Sequence, residues 1–108
     1  MPTLALSPLV WRERAPMPLP RAGYMAGEVG GKLAIAGGSY WSGGRKTWSA
    51  RTDFYDPQRD AWEPGPPMPQ PRSDAACLSI GGALWVFGGG ADGAVTDEVL
   101  RLRNGRWE

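Results

Sequence analysis

The 108 residues contain no histidine, one cysteine and no surplus of either charge, twelve Lys+Arg standing against eleven Asp+Glu. Without imidazole, Ser–His–Asp and Cys–His catalysis, histidine metal sites and histidine pH switches are excluded. A lone Cys77 can close no internal disulfide and build no thiolate zinc site. A net charge of +1 with no basic stripe leaves no nucleic-acid footprint. No apolar run approaches the roughly 18 residues that a membrane span needs. The opening residues, Met1 to Pro8, lack a basic region and a long apolar stretch, so they read poorly as a signal peptide and leave the compartment open. No metal, cofactor or catalytic residue is expected.

What is abundant is turn chemistry. Sixteen glycines and eleven prolines make up a quarter of the chain. Disorder is opposed by 42% hydrophobic residues and six tryptophans, a mass of apolar surface that demands burial. Gly and Pro in that company punctuate short strands, which gives an all-β chain.

The chain repeats itself. Shifted by 51 residues, Trp11 falls on Trp62, Pro16-Met17-Pro18 on Pro67-Met68-Pro69, Pro20-Arg21 on Pro71-Arg72, Gly30-Gly31 on Gly81-Gly82, Leu33 on Leu84 and Gly37-Gly38 on Gly88-Gly89. That is 11 identities over the 28 positions from 11 to 38, where chance gives about two or three. Beyond the second Gly pair the register shifts, with Thr52-Asp53 matched to Thr96-Asp97 and Trp62 to Trp107. Each unit reads as four strands. Strand a (22–29, 73–80) ends at a Gly-Gly hairpin. Strand b (32–36, 83–87) is apolar on both faces in the second copy, as in a strand buried between sheets. Strand c (53–56, 98–102) precedes Asp56-Pro57 or Asn104-Gly105 turns, and strand d opens at Trp62 or Trp107.

A hydrophobic strand ending in Gly-Gly, then Tyr55, six residues and Trp62, repeating at about fifty residues, resembles the kelch motif. The second copy departs from it where Leu102 stands near the Tyr slot and Asn104-Gly105 shortens the turn. The resemblance implies β-propeller blades, each a four-stranded antiparallel sheet. The expected division is a lead-in at 1–10, an outer strand with repeat 1 at 11–61, and an outer strand with repeat 2 at 62–108, the last blade cut at its outer strand. About two blades form an incomplete ring, so either the chain is part of a longer propeller or copies associate to complete one.

Antiparallel order places the d–a and b–c connections on one face of a blade. The a–b and c–d turns are tight, whereas the b–c segments are long and unequal, 39–51 against six residues between Gly89 and Thr96. Binding residues concentrate on such loops. The longer one carries Tyr40, Trp41, Arg45, Lys46, Trp48 and Arg51 around Gly43-Gly44, and aromatics with Arg are the types that supply binding hot spots. Tyr40, Trp41 and Trp48 could equally cover a blade flank, and Arg45 and Lys46 could simply be solvated. Arg21 and Arg72 recur before strand a, at the expected rim of the central channel. Their guanidiniums could take an anionic ligand or bond their own Pro-rich turns. In peptide-binding kelch propellers arginines in this region contact acidic ligands, which the resemblance carries to these two positions. Asp53 and Asp97 suit loop caps, Cys77 a small buried hydrophobe, and Glu28 no assigned role. The expected partner is a protein, peptide or carbohydrate ligand. The alternatives are a sugar-active enzyme resembling bacterial kelch mutarotases and a purely structural segment.

Overall fold

The computed structural model describes residues 6–108; the first five positions of the lead-in lie outside the described residues. These form strands β1 (Met25–Val29), β2 (Lys32–Ala36), β3 (Ser39–Ser42), β4 (Arg45–Trp48), β5 (Thr52–Asp56), β6 (Ala61–Pro64), β7 (Ala76–Ile80), β8 (Ala83–Phe87), β9 (Gly90–Ala91), β10 (Ala94–Val95), β11 (Val99–Arg103) and β12 (Arg106–Trp107). Two antiparallel four-stranded sheets result, β1-β2-β5-β6 and β7-β8-β11-β12, the a-b-c-d order of a propeller blade twice over. Gly30-Gly31 and Gly81-Gly82 turn β1 into β2 and β7 into β8 with φ between +59° and +83°, the left-handed conformation that a two-residue hairpin requires. The innermost strands begin three residues later than expected. Ala22 and Ser73 leave the sheet to form isolated bridges with Ser39 and Gly90.

Pairing corrects the alignment of the second half of the repeat. Leu33 faces Tyr55 and Leu84 faces Leu102, so Leu102 does fill the Tyr slot. Ile35 faces Asp53, however, while Val86 faces Leu100. The counterpart of Asp53 is therefore Leu100, and the Thr96-Asp97 match fails by three residues. The cause is length: Gly37 N–H donates to Arg51 O in one blade and Gly88 N–H to Glu98 O in the other, which makes the intervening segment four residues shorter in the second. Thr96 instead serves its own blade, its Oγ1 accepting the Glu98 N–H at 3.1 Å.

The sheets stack face to face. Met25, Ala34 and Ala36 of the first meet Leu84, Val86, Leu100 and Leu102 of the second, with Met68 from the connection sealed between them. Period-two alternation sends these side chains to one face, and each large one contributes about 1.5–3 kcal/mol by leaving water. Small Ala34 and Ala36 let the branched side chains opposite sit close. The Trp slots lock neighbours together. Trp62 Nε1–H donates to Ala15 O at 2.8 Å, and Trp107 Nε1–H to Pro66 O at 3.1 Å and Thr52 Oγ1 at 3.2 Å. Ala15 and Pro66 occupy the same slot of the repeat.

Burial differs from expectation at β7 and β8. The second face of β8 is only partly covered: Ala83 is buried and Trp85 half-buried, but Phe87, with Leu78, Ile80 and Val99 beside it, stands 42–58% exposed, because no third sheet lies over it among the described residues. Cys77 is exposed rather than buried. It lies in the innermost strand, beside the Ala26 carbonyl at 3.5 Å.

Candidate functional site

The b–c connections build the face expected to bind, but as hairpins rather than open loops. In the first blade β3 and β4 pair antiparallel around Gly43-Gly44, with φ of +56° and +76°, and the Ser49 N–H donates to Gly38 O at 2.9 Å to close the stem. In the second, β9 and β10 pair around Asp92-Gly93, with φ of +51° and +79°, and the Thr96 N–H donates to Gly89 O at 3.0 Å. Both tips carry the residues a positive-φ turn selects.

The Gly pairs beneath these stems admit the chain that crosses between blades. Gly38 N–H donates to Arg72 O at 2.8 Å, and Arg72 N–H to Ser49 O at 3.3 Å. A Cβ on Gly37 would lie 2.2 Å from Arg72 O, and one on Gly89 2.7 Å from Ser73 O. The repeated Gly-Gly is thus required by close backbone approach.

Between the two hairpins runs a groove of about 500 Å³, with Lys46 and Trp48 on one wall, Ser73 and Asp74 at its end and the β9–β10 hairpin opposite. A contiguous space of about 460 Å³ extends it past Arg45 and Asp92. Trp48 is half-buried in the wall, and Lys46 Nζ stands 5.4 Å from its ring centroid, a cation–π contact. Arg45 and Lys46 are exposed, and neither takes part in an ion pair among the described residues. Trp41, on the neighbouring strand, is 72% exposed, while Tyr40 is half-buried. Neither of these two lines the groove.

Arg21 and Arg72 turn inward instead of facing the axis. Arg21 Nε–H donates to Gly37 O at 2.6 Å, its Nη1 to Leu19 O at 3.0 Å, and its Nη2 to Ile35 O at 3.3 Å and Asp53 Oδ2 at 3.1 Å. Both partners of this Arg21–Asp53 ion pair are sealed from solvent at the side chain. Arg51 reaches the same carboxylate from the rim, its Nε 2.7 Å from Oδ2, and this bond raises the Arg51 pKa further above its ordinary value. In the second blade Leu100 holds the Asp53 position. Arg72 accordingly turns to Glu98, donating to its carbonyl at 3.3 Å and its carboxylate at 2.7 Å. Glu98 is the counterpart of Arg51, so the ion pair survives with its acid moved two residues along the strand, outward.

Sequence reasoning missed Ser73, Asp74 and Asp92 as groove residues. Asp74 sits at φ +59° in the slot where the first repeat has Gly23, and accepts a bond from Ser73 Oγ at 3.1 Å. The 51-residue shift already aligned Asp74 with Gly23, and a non-glycine in a glycine slot is the signal that could have found it. Among the described residues no group of three or more His, Cys, Asp or Glu side chains could hold a metal.

A family model described as Kelch motif matches residues 20–69. An F-box/kelch-repeat protein of Arabidopsis thaliana is 38% identical over 77 residues, covering 71% of this chain and 20% of its own. Kelch domain-containing protein 8B of Rattus norvegicus is 34% identical over 86 residues, covering 79% of this chain and 23% of its own. The chain thus spans less than a quarter of the length of either relative. Among solved structures, that of YjhT superimposes with a TM-score of 0.78 at 19% identity, over 92% of this chain and 34% of the other.

Proposed function

The chain belongs to the kelch-repeat family, its two blades forming a propeller segment, and from that premise we propose that the hairpin-bearing face is a binding module for a protein partner. The observation that carries the reading is the groove between the hairpins, lined by Arg45 and Lys46, two cations without acidic partners among the described residues, with Lys46 over the Trp48 ring. Trp41 extends the surface outward. Aromatic side chains on a rigid base lose little entropy on binding and contribute large contact area, and Arg is enriched beside them at binding hot spots. In this reading Arg21, Arg51 and Arg72 act from behind, through the Asp53 and Glu98 carboxylates, to hold the hairpin stems. Tyr40, next to Trp41 on β3, projects to the opposite face of the hairpin.

The test is selection of binders from a random peptide library on the 108-residue chain. Peptides that lose binding on Arg45→Ala or Trp41→Ala, but keep it on Arg59→Ala in the c–d turn at the opposite end, support the module. Selected peptides that respond only to Arg59→Ala, or a library that yields none, refute it. Trp41, exposed as a flat ring, also supports a second reading in which a sugar stacks there. A glycan array that reports binding abolished by Trp41→Ala would favour that ligand.

A further inference from the structure

One wall of the groove is the free edge of a β-sheet. β3 and β4 form a two-stranded sheet, so the outer edge of β4 has no strand beside it among the described residues. The hydrogen-bond pattern tells which groups that edge presents. Ser49 N–H donates to Gly38 O, so that pair bonds inward, while Ser39 exchanges bonds with Ala22 on its far side. Alternation along an antiparallel ladder then turns the N–H and C=O of Trp48, which faces Ser39, and of Lys46, which faces Trp41, away from β3. Two residues apart, Lys46 and Trp48 also project their side chains to one face, where they touch. That edge is a template for one more strand.

The side chains specify what that strand carries. A residue set beside Trp48 would place its Cβ roughly 4.5–5.5 Å from the Trp48 Cβ, where an apolar or β-branched side chain packs best. A residue two positions along would lie beside Lys46, where opposite charge is favoured. We propose that an extended segment of a partner protein adds to the β4 edge, with an apolar residue beside Trp48 and an acidic residue beside Lys46. This rests on the reading of the face as a protein-binding module and names the mode of recognition.

The probes are acetylated, amidated eight-residue peptides rich in Thr that carry Val-Thr-Glu or Glu-Thr-Val at their centre, titrated into the 108-residue chain by calorimetry. One order binds. Methylating the backbone nitrogens one at a time weakens binding about tenfold at every second residue, the one facing β4, and leaves the intervening ones unchanged. Lys46→Glu, a change at an exposed side chain, transfers preference to the peptide with Lys in place of Glu. Binding that ignores backbone methylation overturns strand addition while leaving the protein-binding module intact. Binding indifferent to the Lys46→Glu exchange overturns the proposed specificity. Failure of both peptides to bind overturns the inference, while the unbiased library decides the module separately.

Discussion

Replacing Asp53 by Ala probes the contact that joins the crossing chain to the blade. Arg21 and Asp53 are both closed to water at the side chain, 3.1 Å apart. Removing the carboxylate leaves a guanidinium buried against the carbonyls of Leu19, Ile35 and Gly37 with no counter-charge. Stranding one member of a buried pair costs about 3–5 kcal/mol, a large share of the 5–15 kcal/mol or so that holds an ordinary domain together. The second blade supplies the control. Glu98, the acid that serves Arg72, is 54% exposed at its side chain, so water can replace it in Glu98→Ala, and the loss falls to about 1–2 kcal/mol. Urea unfolding followed by tryptophan fluorescence reads both. With a slope of about 1–3 kcal/mol per molar, Asp53→Ala moves the midpoint by more than a molar, and Glu98→Ala by about 40% as much. If Glu98→Ala proved as damaging as Asp53→Ala, the assignment of Asp53 as the buried counter-charge would be wrong.

Two further outcomes follow from geometry described above. Gly37→Ala, whose Cβ would meet Arg72 O at 2.2 Å with φ at +68°, costs about 3 kcal/mol or more. Gly30→Ala, in open space at φ +59°, costs about 1 kcal/mol. Equal thermal shifts for the two would contradict the close-approach argument. The docking of the N-terminal segment depends on acid. Asp60 accepts the Ala15 N–H at 2.7 Å and the Tyr55 hydroxyl at 2.7 Å, with Arg14 3.5 Å away, and these hold its carboxyl below the usual aspartate value. A depressed folded-state pKa contributes stability that is complete above the unfolded value of about 3.9 and fades as pH falls through the folded one. The Ala15 amide signal in NMR should therefore shift in step with Trp62 Nε1–H below about pH 4, and Asp60→Asn should abolish that titration.

Much of the blade plan was legible because its punctuation is local. A Gly-Gly pair needs positive φ wherever it falls, and Trp62 and Trp107 fill equivalent slots at strand d. Strand b could be read to the residue for the same reason. What escaped was set by partners far along the chain. Arg21 recurs as Arg72, which made both look alike, yet the acid that decides their surroundings lies 32 residues on in one blade and 26 in the other. The shift from Asp53 to Leu100 follows from unequal hairpin lengths, and only strand pairing reveals it. Cys77 looked like a core residue among Ala75, Ala76 and Leu78, but its exposure depends on what covers the innermost strand. The long b–c segment gave away its aromatics and cations, while its hairpin pairing, which sets Trp41 opposite Lys46 and turns Tyr40 to the other face, did not show.

The hairpin stems have an evolutionary corollary. Gly38 with Ser49, and Gly89 with Thr96, shut each projection at its base, and ten residues lie beyond the stem in one blade against six in the other while the β2–β5 and β8–β11 ladders below keep matched registers. Insertions and deletions above the stem are therefore nearly invisible to the sheet beneath, so mutation can explore new recognition surfaces without jeopardising folding. The same joint makes the segment from Ser39 to Trp48 a natural cassette: transplanted between Gly38 and Ser49 equivalents of another blade, it should carry its free β4 edge with it.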